Sequence, residues 1–185
     1  KKSTYINLRW IGIIGQLVTI NLIYFYFNFK FNLILENSII LIGIFSNLYL
    51  IYINKNTQLS DKLGFHFLLI DILQLSCLLY LTGGISNPFS IFLIIPTIFS
   101  SSNLGFKSNL LLANITILII IFLTFFYHPL PYPVNEHFHV DAYYYYSIPT
   151  SLIIALIFLD YFALVFGKES RIRKEALNKM EEIMS

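Results

Sequence analysis

The sequence predicts an all-α integral membrane protein: a six-helix transmembrane bundle that continues into a cytoplasmic C-terminal linker helix. Three observations carry this prediction. Only 12% of the 185 residues are charged and 57% are hydrophobic, with a mean hydropathy of +0.71, whereas a soluble domain carries about a quarter charged residues. The apolar residues come in long blocks near the roughly 20 residues that a helix needs to cross a bilayer. The basic residues, finally, gather in alternate connections between those blocks.

Taken in order, the spans are Trp10–Phe27, Leu33–Ile53, Leu63–Leu81, Phe89–Asn103, Asn109–Tyr127 and Tyr144–Phe166. The fourth is short and carries Pro96 near its centre. It is expected to be a tilted, kinked span, or a segment starting below the membrane surface. It is kept because its omission would put Lys107 and the fifth span on the wrong side. Lys and Arg next to spans resist translocation and set orientation. Lys1, Lys2, Arg9, Lys55, Lys62, Lys107, Lys168, Arg171, Arg173, Lys174 and Lys179 fall on one side, leaving Lys30 alone on the other. Both termini are therefore expected in the cytoplasm, with the connections near 28–32, 82–88 and 128–143 facing outward. Trp10 and the Tyr143–Tyr146 run sit where interfacial aromatic anchors belong. With Lys1 first and no Met before Met180, the chain is expected to begin inside a longer reading frame. No cleavable signal peptide is visible.

Residues 1–167 form the expected six-span membrane domain, and 168–185 the start of the linker. In the tail, Ile172, Ala176, Leu177, Met180 and Ile183 make one apolar stripe at helical spacing. This pattern suits a helix leading to a further region. Cys77 is the one cysteine and lies inside an apolar run, so there is no disulfide framework. Nucleotide-binding loops, Ser-His-Asp constellations and basic nucleic-acid patches are lacking, so no catalytic residues and no nucleic-acid partner are expected of this chain.

Ionisable groups within a bilayer are costly and mark bundle interiors or wet cavities. Asp71 stands at the middle of span three with Gln74 one turn along the same face; both read either as polar packing elements between helices or as a ligand or proton site. Asp160, in span six, is expected to pair with a base near its own helix end. His66, Asn114 and Gln16 add further polar groups. In the last outer connection, His137, His139 and Asp141 would share a face of an extended strand, with Glu136 beside them. A scattered polar loop is the ordinary reading of that pattern, and no metal site is assigned.

The stretch "GGISNPF", Gly83 to Phe89, contains more than a turn requires. Asn87 is a preferred helix N-cap and Pro88 is favoured at the first helical position, so span four is expected to start here. Unsatisfied N–H groups at such a start could meet an electron-rich oxygen. Gly83 and Gly84 permit sharp backbone geometry, while Phe89, with Tyr80 nearby, could stack on a flat ring. A capped turn and a quinone head-group site both fit these residues.

The heptapeptide matches the pattern GGxxNPF at every fixed position, and here the chain resembles the membrane-sensor half of the RegB/PrrB family of redox-responsive sensor histidine kinases. "DILQLSCLLYLTGG" (71–84), "LRWIGIIGQL" (8–17) and "HPLP" (128–131) extend the resemblance through nearly the whole chain. It implies a redox-sensing bundle that binds a quinone, ubiquinone or menaquinone, through Gly83, Gly84, Asn87, Pro88 and Phe89, with Asp71 and Gln74 in support or signalling. It further implies a homodimer in a bacterial inner membrane. A kinase region outside this chain would hold the phosphorylated His, ATP and Mg and would act on a cognate response regulator. Cys77, inside span three, does not inherit the family's redox-active cysteine role. The alternative is a small polytopic transporter or channel subunit, with Asp71, Gln74 and Asn114 along a polar path.

Overall fold

The computed structural model describes residues 2–53, 60–129 and 142–184. Six α-helices account for most of them: α1 (Lys2–Phe25), α2 (Leu33–Ile53), α3 (Asp61–Leu81), α4 (Ile94–Asn103), α5 (Phe106–Phe125) and α6 (Ala142–Met184). Two 3-10 stretches, Gly84–Ser86 and Pro88–Leu93, lie between α3 and α4. Five helices are long and apolar enough to cross a membrane.

The sixth crossing is built differently. Pro88–Asn103 joins six 3-10 residues to ten α-helical ones. At rises of ~2.0 and ~1.5 Å per residue these span roughly 27 Å, close to the ~30 Å of a hydrocarbon core. The stretched 3-10 half thus recovers length that sixteen residues of α-helix would lack. Pro96 stands in the first turn of α4, where its missing N–H is tolerated.

Several ends are set by local chemistry. Ser60 caps α3, its Oγ accepting the Leu63 N–H at 3.3 Å, and Asn32 caps α2 by accepting the Leu35 N–H at 3.1 Å. The start of α5 has no cap of its own. Instead Asp61, the first residue of α3, accepts from the Gly105 N–H at 2.5 Å and from Ser108 Oγ at 2.6 Å. One carboxylate thereby serves two helix starts and ties them at the same end of the bundle.

Half of the apolar window of α3 is buried, against 11% for α1, so α3 is the central post and α1 a peripheral helix. Near the turn between α3 and α4, Leu79, Ile85, Leu93, Ile120, Leu123 and Leu156 pack in one cluster. Toward the opposite end Tyr5, Leu50, Phe67, Leu68, Ile72 and Leu112 form a second. α6 runs unbroken from Ala142 to Met184, so the boundary expected at 167/168 falls inside one helix. Pro149 lies within α6; around it the Thr150 and Ser151 hydroxyls donate to the carbonyls of Tyr146 and Ile148 at 2.9 and 2.8 Å. Pro149 itself has no N–H to give to the carbonyl of Tyr145.

Candidate functional site

The Gly83–Phe89 turn folds inward. The Thr82 N–H donates to Leu79 O at 3.0 Å as α3 ends, and the chain then passes through the left-handed region at Gly83 (φ 103°) and Gly84 (φ 57°), where only glycine is unstrained. At Gly84 a second constraint applies. A Cβ there would stand 2.6 Å from the Leu123 carbonyl oxygen and 2.6 Å from Tyr127 Cβ. The turn therefore leans directly on the end of α5. Ile85 plugs the core and is fully buried.

Asn87 holds this shape. Its Oδ1 accepts the Phe89 N–H at 2.9 Å, while Nδ2 donates to Thr82 O and Thr82 Oγ1 at 3.0 and 2.7 Å. The expected capping role is thus present, with Pro88 as the first residue of the following helix. The expected free donors are not. Pro88 has no N–H, Phe89 gives its own to the Asn87 side chain, and Ser90 donates to Asn87 O at 2.9 Å. Gly83, Gly84 and Asn87 are buried, while Pro88 and Phe89 are exposed; the Phe89 ring stacks on Phe92 at 5.8 Å.

Beside the turn, a groove of about 470 Å³ runs between α3 and α5, with Ile39 of α2 at one edge. Leu73, Cys77 and Tyr80 form its α3 wall, and Phe122 and Leu123 its α5 wall. Leu123 joins groove to turn, since its carbonyl is the atom that Gly84 approaches. Tyr80 stacks with Phe122 at 6.3 Å and meets the His128 ring edge-on at 5.1 Å. The His128 backbone N–H donates to the Tyr80 carbonyl at 2.7 Å, tying the chain after α5 to the end of α3. This volume lies within the ~300–1,000 Å³ usual for small-molecule sites.

Asp71 and Gln74 lie elsewhere, among α1, α2 and α3. Arg9 Nε and Nη2 reach Asp71 Oδ1 at 2.9 and 2.6 Å, and Tyr5 Oη donates to Asp71 Oδ2 at 2.8 Å. Arg9 Nη2 also donates to Ser46 Oγ at 2.9 Å, and its guanidinium lies over the Phe67 ring at 5.3 Å. Arg9 is consequently a buried bundle residue within α1, not the flanking charge that topology counting makes of it. Gln74 donates to Gln16 Oε1 at 2.8 Å. It passes against Gly43, where a Cβ would come within 2.9 Å of Gln74 Oε1.

A second polar cluster joins α4, α5 and α6. Thr97 and Thr116 exchange a hydroxyl bond at 2.9 Å, Ser100 Oγ donates to Asn109 Oδ1, and Asn109 Nδ2 donates to Asp160 Oδ2 at 2.9 Å. Asp160 therefore takes an amide rather than the base expected for it, and its Oδ1 has no partner among the described residues. Asn114 is exposed and donates back to Leu110 O of its own helix at 2.8 Å. The polar path expected of a transporter, through Asp71, Gln74 and Asn114, is thus not formed by these residues. His66 likewise bonds within its helix, to Lys62 O at 2.6 Å.

Sequence reasoning missed Arg9 as the partner of Asp71, Asn109 as that of Asp160, and the buried Glu36, whose Oε2 is unpartnered among the described residues. Charge inside an apolar run could have flagged Glu36, while Arg9 stands before its span and Asn109 carries no charge. The His137, His139 and Asp141 cluster lies outside the described residues, among which no three candidate metal ligands gather.

The chain belongs to the PilS-like transmembrane domain family, whose model matches residues 3–171. It is also similar to the sensor histidine kinase RegB of Cereibacter sphaeroides, with 27% identity over 175 residues. That match covers 94% of this chain and 38% of the relative, so the chain spans well under half of the relative's length. No solved structure matches.

Proposed function

We propose that this chain is the sensor region of a two-component histidine kinase, reading the state of a membrane quinone and passing it to a kinase region outside residues 1–185. The observation that carries the proposal is the GGISNPF turn, held shut by Asn87 and pressed on α5 through Gly84, in a chain of this family. The ligand class follows from the family resemblance together with an apolar groove that Tyr80 lines. In this reading both termini are cytoplasmic and the turn faces outward. The parent is a homodimer in a bacterial inner membrane that uses ATP and Mg to phosphorylate a response regulator.

A ligand shifts a conformational equilibrium only through differential contacts with the two states. Quinone and quinol differ in that way: a carbonyl oxygen only accepts hydrogen bonds, whereas a quinol hydroxyl also donates. The turn is placed to transmit the difference. Its 3-10 exit leads straight into α4, which packs along α6, and α6 continues to Met184. Tyr145 near the start of α6 also donates to Thr124 O of α5 at 2.5 Å, so the turn, α5 and α6 meet in one place.

The test is quinone affinity of the detergent-solubilised protein. Asn87→Ala, which opens the turn, should weaken decylubiquinone binding about tenfold, equivalent to roughly 1.4 kcal/mol, while circular dichroism stays helical. Unchanged affinity in both Asn87→Ala and Phe89→Ala would leave the heptapeptide as a turn only. Residues encoded beyond Ser185 should include a His-bearing dimerisation helix and an ATP-binding region; a stop codon there would end the kinase assignment.

A further inference from the structure

We infer that Glu36 is a proton-binding site: its carboxyl is held un-ionised inside the bundle, and loss of that proton opens the first turn of α2. The inference goes beyond the quinone reading and does not depend on it. Glu36 is 1% exposed, and its Oε2 has no hydrogen-bond partner among the described residues. It heads the buried seam of α2, formed by Glu36, Ile40, Gly43, Asn47 and Leu50, on a helix that packs against α1 and α3.

No cation meets it there. The described titratable groups near this end of α2 are Tyr24 of α1, Lys30 of the following connection, and Cys77 and Tyr80 of α3. Lys30 and Cys77 are exposed. The Tyr24 ring packs on Phe25 and Phe31, and the Tyr80 ring on Phe122 and His128. Farther along, Tyr5 and Arg9 are engaged at Asp71, and Asp61, Lys62 and His66 stand at the other end of α3. None of these groups bonds Glu36. A carboxylate buried without a partner is so costly that the group takes up a proton instead. The start of a helix favours negative charge, but that attraction is smaller than the cost of a dry, unpaired ion. Nor does Glu36 draw on it: the Leu35 N–H goes to Asn32 Oδ1, and the N–H of Glu36 itself to Asn32 O.

A proton also needs no cavity, and Glu36 does not line the groove between α3 and α5. Once ionised, the side chain gains by swinging toward water at the near end of α2. The Asn21–Asn37 amide pair, at 3.1 and 3.4 Å, is the adjacent tie to α1 that such a swing would strain. Gly43 admits Gln74 against the same seam, and Asn47 Oδ1 accepts from Arg9 Nη1 at 3.4 Å. Movement of α2 would therefore reach the polar cluster among α1, α2 and α3.

Infrared spectroscopy of the full chain in detergent micelles reads the proton directly. In mildly acidic buffer, where exposed carboxylates are ionised, the unaltered chain should show a protonated-carboxyl C=O band that Glu36→Gln lacks. Glu36→Met, of similar length and without charge, serves the same subtraction should the amide disturb packing. The band should fade about tenfold for each pH unit beyond half-ionisation. Amide hydrogen exchange over residues 33–40 reads the opening, each rate being divided by that of Glu36→Gln in the same buffer to cancel the direct effect of pH. The two chains should match in mildly acidic buffer, and the unaltered chain should exchange about tenfold faster in alkaline buffer. Spectra in which neither variant loses a protonated-carboxyl band would show Glu36 ionised and overturn the proton site. A band that titrates while the exchange rates stay equal would overturn the opening and reduce Glu36 to a packing acid.

Discussion

Asp71 and Asp160 are both carboxylates within membrane helices, yet the bundle satisfies them by different means. Asp71 meets a guanidinium through Nε and Nη2 and a phenol besides, so that α1, α2 and α3 are held by an ion pair with further hydrogen bonds. Asp160 meets the Asn109 amide, with the Ser101 hydroxyl beside it, at the end of a chain of neutral hydroxyl and amide groups running from α4 through α5. Separating a buried ion pair strands charge, whereas neutral interhelical hydrogen bonds in membranes average only about 0.6 kcal/mol. Losing the partner of the carboxylate is therefore expected to cost more in the α1–α3 half than in the α4–α6 half. The α4–α6 half, which begins at the glycine turn and contains the long α6, is joined by neutral side chains and one carboxylate, without an ion pair among the described residues.

The comparison can be broken most directly at Arg9. Arg9→Leu leaves Asp71 without a cation, and should lower stability by about 3–5 kcal/mol, measured by reversible unfolding in mixed micelles. Arg9→Leu with Asp71→Leu should recover most of that loss. A double variant as weak as the sum of the singles would show that the pair is not the clamp. A smaller effect is expected at the other carboxylate: Asp160→Leu should cost about 1–2 kcal/mol, the range of one interhelical hydrogen bond in model systems. Equal losses at Arg9 and Asp160 would dissolve the distinction between the halves. The smallest effect belongs to Thr97→Val, at about 0.6 kcal/mol. Its coupling to Thr116→Val in a double-mutant cycle should be of the same size, and zero coupling would remove that pair from the α4–α5 seam.

The glycine turn shows how far local reading goes. Asn87 as a cap, Pro88 at the first helical position and glycine where φ is positive all follow from a few neighbouring residues, and the structure contains all three. The short fourth crossing was legible too, because Pro88–Asn103 is brief and apolar in the sequence itself. What could not be read was the direction in which the turn faces. Ile85 turns out to be a core residue, which depends on α5 arriving at Gly84 from about forty positions away.

By itself, then, the sequence determined the membrane class, the helices and their approximate limits, and the chemistry of the turn, because hydropathy, capping and glycine geometry act over one or two helical turns. Only the tertiary structure decided that Arg9 serves Asp71, that Asn109 serves Asp160, and that a groove opens beside Tyr80. A helix apolar on every side carries no periodicity to say which face is inward. The partners are separated by 62 and 51 positions, so their pairing emerges only when the helices choose their neighbours.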